Sequence, residues 1–398
     1  MGWLLGSMMV LLFQACYSYD YDLPKTEPTL QIHVFTPERP VVTRASGDPV
    51  AAETLEKQVI DLHIWVFEHH GAGLDDDGKL VGYLHPTDFT NTGGTYLMSV
   101  SDEFATKRPH VDVYVLANVS AGNCGLALPL NAETTRDQLD GILIAHAGSN
   151  DFFGLTAPQS EVPTTDPDDP TKSLGLPMSG VLKDQELSYN APVLSVGNVQ
   201  VVRAVSKVRF IFSRSASAPD VVVRKITIDG GVIPTAEYLF LSGAYPDERC
   251  RIKAASGYED NESHEFSMKE CELTLPSSLD PAQFAHNGAI SGQEYESLIN
   301  TELTKTETET VKREIVEGGR FYLRESDKQV TGKIWYTVGE DTTPRSENFS
   351  LSAAGDFTRN HTWIVYGYFA GSNNLRILTV SFTDWDPLQE NAHSVYNW

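Results

Sequence analysis

This sequence predicts an all-β chain folded as β-sandwiches with few short helices. Three observations carry that reading. Short stretches alternate apolar and polar residues with a period of two, as half-buried strands do. They recur at regular intervals between turn-forming clusters, the pattern of sandwich folds. Glycine and proline are abundant, 30 and 21 of 398 residues, which favours many turns over long helices.

The elements follow in chain order. Met1 to Ala15 is almost wholly apolar and stops at Cys16. About a dozen apolar residues suit a secretory signal and are too short to span a bilayer as a helix. Leu12-Phe13-Gln14-Ala15-Cys16 is similar to the lipobox of bacterial lipoproteins, in which the signal is cut before a cysteine that is then acylated. Two features depart from that pattern: no Lys or Arg precedes the apolar run, and Gln14 stands inside the box. A plain signal peptide with an incidental cysteine is the alternative.

Tyr17 to Ser46 is polar and Pro-rich, with one alternating stretch at Leu30–Phe35 that puts Leu30, Ile32 and Val34 on one face. Val59–Glu68 is a stronger strand, with Ile60, Leu62, Ile64 and Val66 together. Leu74-Asp75-Asp76-Asp77-Gly78 reads as a hairpin turn, because Asp-Gly tolerates positive φ. Val111–Asn118 alternates again through Val111, Val113, Val115 and Ala117. Thr134–Ala147 has helical spacing at Leu139, Ile142, Leu143 and His146, and Thr135 with Gln138 forms a capping box.

Thr156–Pro177 contains five prolines and three aspartates, the chemistry of an exposed loop. Val199–Ser213 is the longest strand signal. Its even positions from Val202 to Phe212 are mostly apolar, with Arg203, Lys207 and Arg209 on the other face. A strand of that length often leaves one sheet for another, so the domain junction is placed near Ala204. Further strands are expected at Val221–Ile228, Tyr238–Ser242, Glu272–Leu275, Phe321–Arg324, Lys333–Val338, Thr362–Phe369 and Ile377–Asp384. Thr301–Val316, rich in Thr and Glu, fits an exposed strand pair or a loop. The organisation is then a signal over residues 1–15, a lipidated propeptide over 16–44, one sandwich over 45–204 and a second over 205–398.

Acidic residues outnumber basic ones, 54 to 30, giving a net charge of −24. That field repels phosphate backbones and anionic headgroups, against a nucleic-acid partner. Hydrophobic content of 41% argues against a disordered chain. Beyond Cys16 there are Cys124, Cys250 and Cys271. Three allow at most one bridge, with Cys250–Cys271 the favoured pair; three small buried thiols fit equally well. No CxxC spacing points to structural zinc.

Catalytic signatures are lacking: no GxSxG, HExxH, P-loop or GxGxxG is present. His69-His70 with Asp75–Asp77 offers metal-binding side chains, but adjacent strand residues point to opposite faces. A solvated turn is the plainer reading. Asp75-Asp76-Asp77-Gly78 lacks the alternating ligands and distal Glu of an EF-hand. Asp166-Pro167-Asp168-Asp169-Pro170 reads as a solvated loop. The chain is therefore expected to have no metal, no cofactor and no enzymatic activity.

Several short motifs stand in a telling order. They are the lipobox Cys16, Val42-Thr43-Arg44-Ala45, Asp61-Leu62-His63-Ile64-Trp65-Val66-Phe67 and Val113-Tyr114-Val115-Leu116-Ala117-Asn118. Then come Pro177-Met178-Ser179-Gly180, Val202-Arg203-Ala204-Val205-Ser206-Lys207-Val208, Asn360-His361-Thr362-Trp363-Ile364-Val365-Tyr366 and Val380-Ser381-Phe382-Thr383-Asp384-Trp385. In this order they resemble the fimbrillin superfamily, the type V pilus subunits of Bacteroidales-type bacteria. The resemblance implies two transthyretin-like β-sandwiches. It implies export to the outer membrane as a lipoprotein acylated at Cys16. An arginine-specific protease would then remove the N-terminal segment, and a strand donated by another subunit would fill the groove.

On this chain Arg44-Ala45 matches the cleavage site, since Pro40 after Arg39 blocks cutting there. Leu30–Phe35, with Leu30, Ile32 and Val34, is the removed strand. Other fimbrial subunits, the protease and, before maturation, the membrane are the implied partners. The tail His393 to Trp398 alternates and is short for a donor strand, so tip or minor subunit and stalk subunit both fit. A lipid-anchored glycan-binding surface protein is the alternative. For that role Trp65, Trp335, Trp363 and Trp385 would need to be exposed, whereas their place on or beside strands suits core packing.

Overall fold

Strand β1, Thr29–Phe35, is the first described element, with alternating Leu30, Ile32 and Val34 pointing inward. The structure is a computed structural model that describes residues 27–35, 59–70, 77–86, 94–119, 126, 128–145, 175–190, 192–234, 236–240, 264–266, 271–273, 292–308, 310–311, 313–352 and 357–382. Cys16, Arg44, Ala45, Cys124, Cys250, Trp385 and the tail from Asp386 lie outside those residues; Cys271 opens a strand described below.

After β1 come β2 (Leu62–His69), β3 (Leu80–Leu84) and β4 (Thr95–Ser99). Helix α1 (Asp102–Lys107) is capped by the Ser101 side chain, and β5 (His110–Ala117) follows. Helix α2 (Arg136–Asp140) precedes β6 (Leu143–Ala145), β7 (Met178–Gln185), β8 (Ser188–Asn190), β9 (Val193–Ser195), β10 (Val199–Gln200) and β11 (Val202–Arg203). Apart from β6, these strands build two facing sheets. In the first, β1 lies between β4 on one side and β9 and β10 on the other, with β8 beyond β9. The second has the order β11-β7-β5-β2-β3, antiparallel throughout. Between them sits a core of Leu30, Ile32, Val34, Ile64, Val66, Met98, Val113, Val115 and Leu194.

The remaining strands are β12 (Ser206–Arg214), β13 (Val221–Ile228), β14 (Ala236–Tyr238), β15 (His264–Phe266) and β16 (Cys271–Leu273). Helix α3 (Gly292–Leu303) leads to β17 (Val316–Leu323), β18 (Thr331–Val338), β19 (Asp341–Ser350), β20 (Thr362–Gly371) and β21 (Asn374–Phe382). A third sheet, β17-β12-β20-β21, packs on a fourth, β15-β13-β18-β19 with β16 beside β13. Their core holds Phe210, Phe212, Val223, Ile226, Phe321, Ile334, Tyr336 and Val365. The outer face of the third sheet is also covered: Ile211, Ile364 and Tyr366 meet Ile299 of α3.

Four expectations need correction. Val199–Ser213 is not one strand. It passes through β10, β11 and β12, which belong to three sheets. Its backbone must cross β7 closely: a Cβ at Gly180 would stand 2.4 Å from the Gln200 carbonyl oxygen, a separation that any larger residue would violate. Thr134–Ala147 is not one helix. The capping box at Thr135 and Gln138 forms, but the helix stops at Asp140. Leu143–Ala145 instead pairs with Ala236–Tyr238 as a two-stranded sheet, so tertiary pairing overrides local spacing. That β14 ends at Tyr238 also replaces the strand expected over Tyr238–Ser242, of which 241 and 242 lie outside the described residues. Finally, part of Thr301–Val316 is helical, since α3 runs to Leu303.

Candidate functional site

The candidate site is the seat of β1 in the first sheet. Backbone pairing fixes the strand on both sides. Against β4 the register is antiparallel from Thr29↔Ser99 to His33↔Thr95. On the other side β1 runs parallel to β9 through Leu30↔Leu194 and to β10 through Val34↔Val199. Short contacts fasten its ends. The Val34 amide donates to the Gly94 carbonyl at 2.7 Å, Val100 to Pro28 at 3.0 Å and Val196 to Gln31 at 3.2 Å.

Period-two alternation then decides which side chains matter. Leu30 and Ile32 are 0% exposed and Val34 is 8% exposed. Gln31 and His33, on the opposite face, are half-buried, and the His33 ring hydrogen-bonds the Thr95 hydroxyl at 3.2 Å. The expected strand and its three buried residues are therefore where the sequence placed them. What alternation did not reveal is centrality. Among the described strands, β4 pairs only with β1, and β9 and β10 meet the same sheet through it. Without β1 the first sheet would fall into three pieces around an apolar cleft.

The other sequence-derived candidates separate. His69 Nδ1 lies 2.9 Å from Asp112, and His70 Nε2 lies 2.7 Å from Glu68. Asp77 instead takes both guanidinium nitrogens of Arg136, at 3.1 and 2.7 Å; this pair holds its carboxyl well below the usual range. These groups surround the hairpin turn, where Gly78 has φ of +76°, and are tied together through Arg136, which also donates to Asp112 at 3.0 Å; Asp75 and Asp76 lie outside the described residues. Trp65 and Trp363 are buried and Trp335 is half-buried, so none of the described tryptophans offers an exposed stacking platform.

Two arrangements escaped sequence reasoning. Arg359 is buried with Glu325 at 2.7 Å and Glu237 at 3.9 Å, and it donates to the Leu239 and Tyr238 carbonyls at 2.8 and 2.6 Å. This network pins residues 236–240, which pack on the second sheet's outer face with Tyr114 and Leu116. Burial pushes the Glu237 carboxyl up to about 8. Separately, Asp61, His63 and His85 bring one ligand atom each within 4.8 Å of one another. The signal for the second was present: Asp61, just before β2, and His63 are two apart in sequence, and the Asp-Gly turn brings position 85 across from 63.

No family model matches the chain, and no curated protein matches it. Solved structures do. It is similar to a candidate cell adhesion protein from Bacteroides eggerthii, 12% identical over 89% of this chain and 95% of that one, with a TM-score of 0.44. A fimbrial assembly protein from Parabacteroides distasonis is 12% identical over 91% and 99%, with a TM-score of 0.39. A candidate adhesin from Bacteroides thetaiotaomicron is 9% identical over 90% and 97%, with a TM-score of 0.45.

Proposed function

We propose that this chain is a structural subunit of a cell-surface fimbria, exported as a lipoprotein and assembled by exchange of β1 for a strand of another subunit. The single observation behind this reading is that an N-terminal strand is the central member of a sheet. A central strand is a costly place for a removable segment unless removal has a use. Taking it out exposes a double row of unpaired backbone groups and an apolar cleft, and a donated strand satisfies both at once.

Arg44-Ala45 follows β1 and precedes β2, so a cut there severs the strand from the body while leaving every other described strand on one chain. The fimbrillin-like order of motifs supports the same reading. Acylation at Cys16 would hold the precursor at the outer membrane until an arginine-specific protease acts, after which the subunit belongs to the fimbrium. Tip or minor and stalk positions are both compatible with it. No described tryptophan is exposed in a way that favours glycan binding.

The test is N-terminal sequencing of protein sheared from cells, with size-exclusion chromatography before and after treatment with an arginine-specific protease. A mature start at Ala45 and growth of oligomers after cutting are expected. Arg44→Ala should block processing and keep the protein monomeric, whereas Arg39→Ala should not. A mature start at Cys16 or Tyr17, with a chain the protease leaves intact, would overturn the proposal.

A further inference from the structure

We infer that Asp61, His63 and His85 form a binding site for a divalent transition-metal ion of the zinc class. The placement follows from the backbone. β2 and β3 pair with Ile64↔Leu84 and Trp65↔Tyr83, which puts position 85 across from His63. Asp61, two residues before His63, shares its face. One hairpin therefore supplies all three side chains, and they gather at the edge of the second sheet.

The atoms are arranged for coordination. Asp61 Oδ1 lies 3.2 Å from His63 Nε2 and 3.1 Å from His85 Nε2, and the three ligand atoms lie within 4.8 Å of one another. Each of the two inner groups is also held from behind. The Val119 amide donates to Asp61 Oδ2 at 3.2 Å. His63 Nδ1 hydrogen-bonds the Tyr83 hydroxyl at 2.7 Å, and that hydroxyl donates to the Leu130 carbonyl at 3.2 Å. In this arrangement Nδ1 carries the ring hydrogen and Nε2 is turned to Asp61. An imidazole oriented through its far nitrogen in this way is the usual setting of a metal-ligating histidine. Ring packing restrains both histidines: their centroids are 4.2 Å apart, and His63 stacks on Trp65 at 5.6 Å.

Donor chemistry selects the ion. Two imidazole nitrogens and one carboxylate suit zinc and its first-row neighbours, whereas calcium and magnesium take oxygen donors. Three protein ligands leave room for water or a donor from another molecule. His85 is the outer ligand, with its side chain 45% exposed against 2% for His63, so the ion can enter from solvent.

The test uses the full chain, purified without a histidine tag and titrated with Co²⁺, whose visible absorption reports tetrahedral or five-coordinate nitrogen and oxygen ligation. Expected is one saturable site per chain, emptied by competing Zn²⁺. His85→Ala, an exposed change that leaves the fold intact by circular dichroism, should weaken binding by about tenfold or more. His110→Ala, in the separate pair with Asp184 at 2.6 Å, should leave binding unchanged. The inference is overturned if no cobalt spectrum develops, if His85→Ala binds as tightly as the parent, or if His110→Ala weakens binding equally.

Discussion

Ile32 is the place to test whether β1 is held as a separable unit. It sits mid-strand, 0% exposed, paired with Tyr96 on β4 and packed in the core between the first two sheets. Ile32→Ala should cost about 3–5 kcal/mol, the upper part of the range for large-to-alanine core changes, because neighbours on both sides are fixed by sheet pairing and cannot collapse inward. Gln31→Ala, one residue away on the opposite, half-buried face, should cost no more than about 0.5 kcal/mol.

In the uncut chain the difference appears as a lower urea midpoint for Ile32→Ala at unchanged slope. After cutting at Arg44 the same energy reports on retention of the strand. Burial of Leu30, Ile32 and Val34 together is worth at most about 5–9 kcal/mol, enough to keep the cut strand seated for a time. Losing 3–5 kcal/mol of it weakens retention by about 100-fold to several thousand-fold. The assay is displacement of the cut N-terminal fragment by a labelled synthetic copy of residues 27–37, followed by fluorescence anisotropy. The reasoning fails if Ile32→Ala and Gln31→Ala have equal effects, or if wild-type protein sheds the fragment as fast as it is cut.

Other expectations follow from the buried charges. Folded Glu237 keeps its proton to about pH 8, against 4.5 for the ordinary group; stability therefore falls as pH rises between those values and is level above them. Glu237→Gln should raise the melting temperature at pH 9 and change little at pH 4.5; equal shifts at both would contradict this. Arg359→Met strands Glu325, which is 1% exposed, without its closest cation and should cost about 3–5 kcal/mol, read by chemical denaturation. Arg136→Ala should cost a similar amount, about 3–5 kcal/mol, because Asp112, 2% exposed in its side chain, loses a 3.0 Å partner and Asp77 loses another; a change under 1 kcal/mol would show that the pairs act as surface contacts.

Much of the fold was legible from period alone. Leu62, Ile64 and Val66 on β2, and Val111, Val113 and Val115 on β5, share faces as their spacing requires; Ile60, expected with the first set, precedes β2 and is exposed. The strand Leu30–Phe35, the turn at Gly78 and the capping box at Thr135 were likewise written locally. These patterns are set by side chains a few residues apart, whereas the energy that holds a strand such as β1 comes from distant partners. Period does not tell how many faces of a strand are covered. On β5 the alternate residues Tyr114 and Leu116 are buried too, under Leu139 and Phe240. On β12 the opposite face carries Ile211, buried against α3, Arg209, which reaches Glu317 at 2.8 Å and Asn300 at 2.9 Å, and buried Lys207.

Sequence by itself determined the all-β class, the main strands and the identity of the three buried residues of β1. Only the tertiary structure decided that β1 is central, that Val199–Arg214 serves three sheets, and that Asp61, His63 and His85 meet. The physical reason is the range of the forces. Alternation is set by the backbone of one strand, whereas neighbours in a sheet are chosen by hydrogen bonds and burial between segments far apart in the chain. The partners of β1 at Ser99 and Val199 are separated by a hundred residues, and nothing in either segment alone names the other.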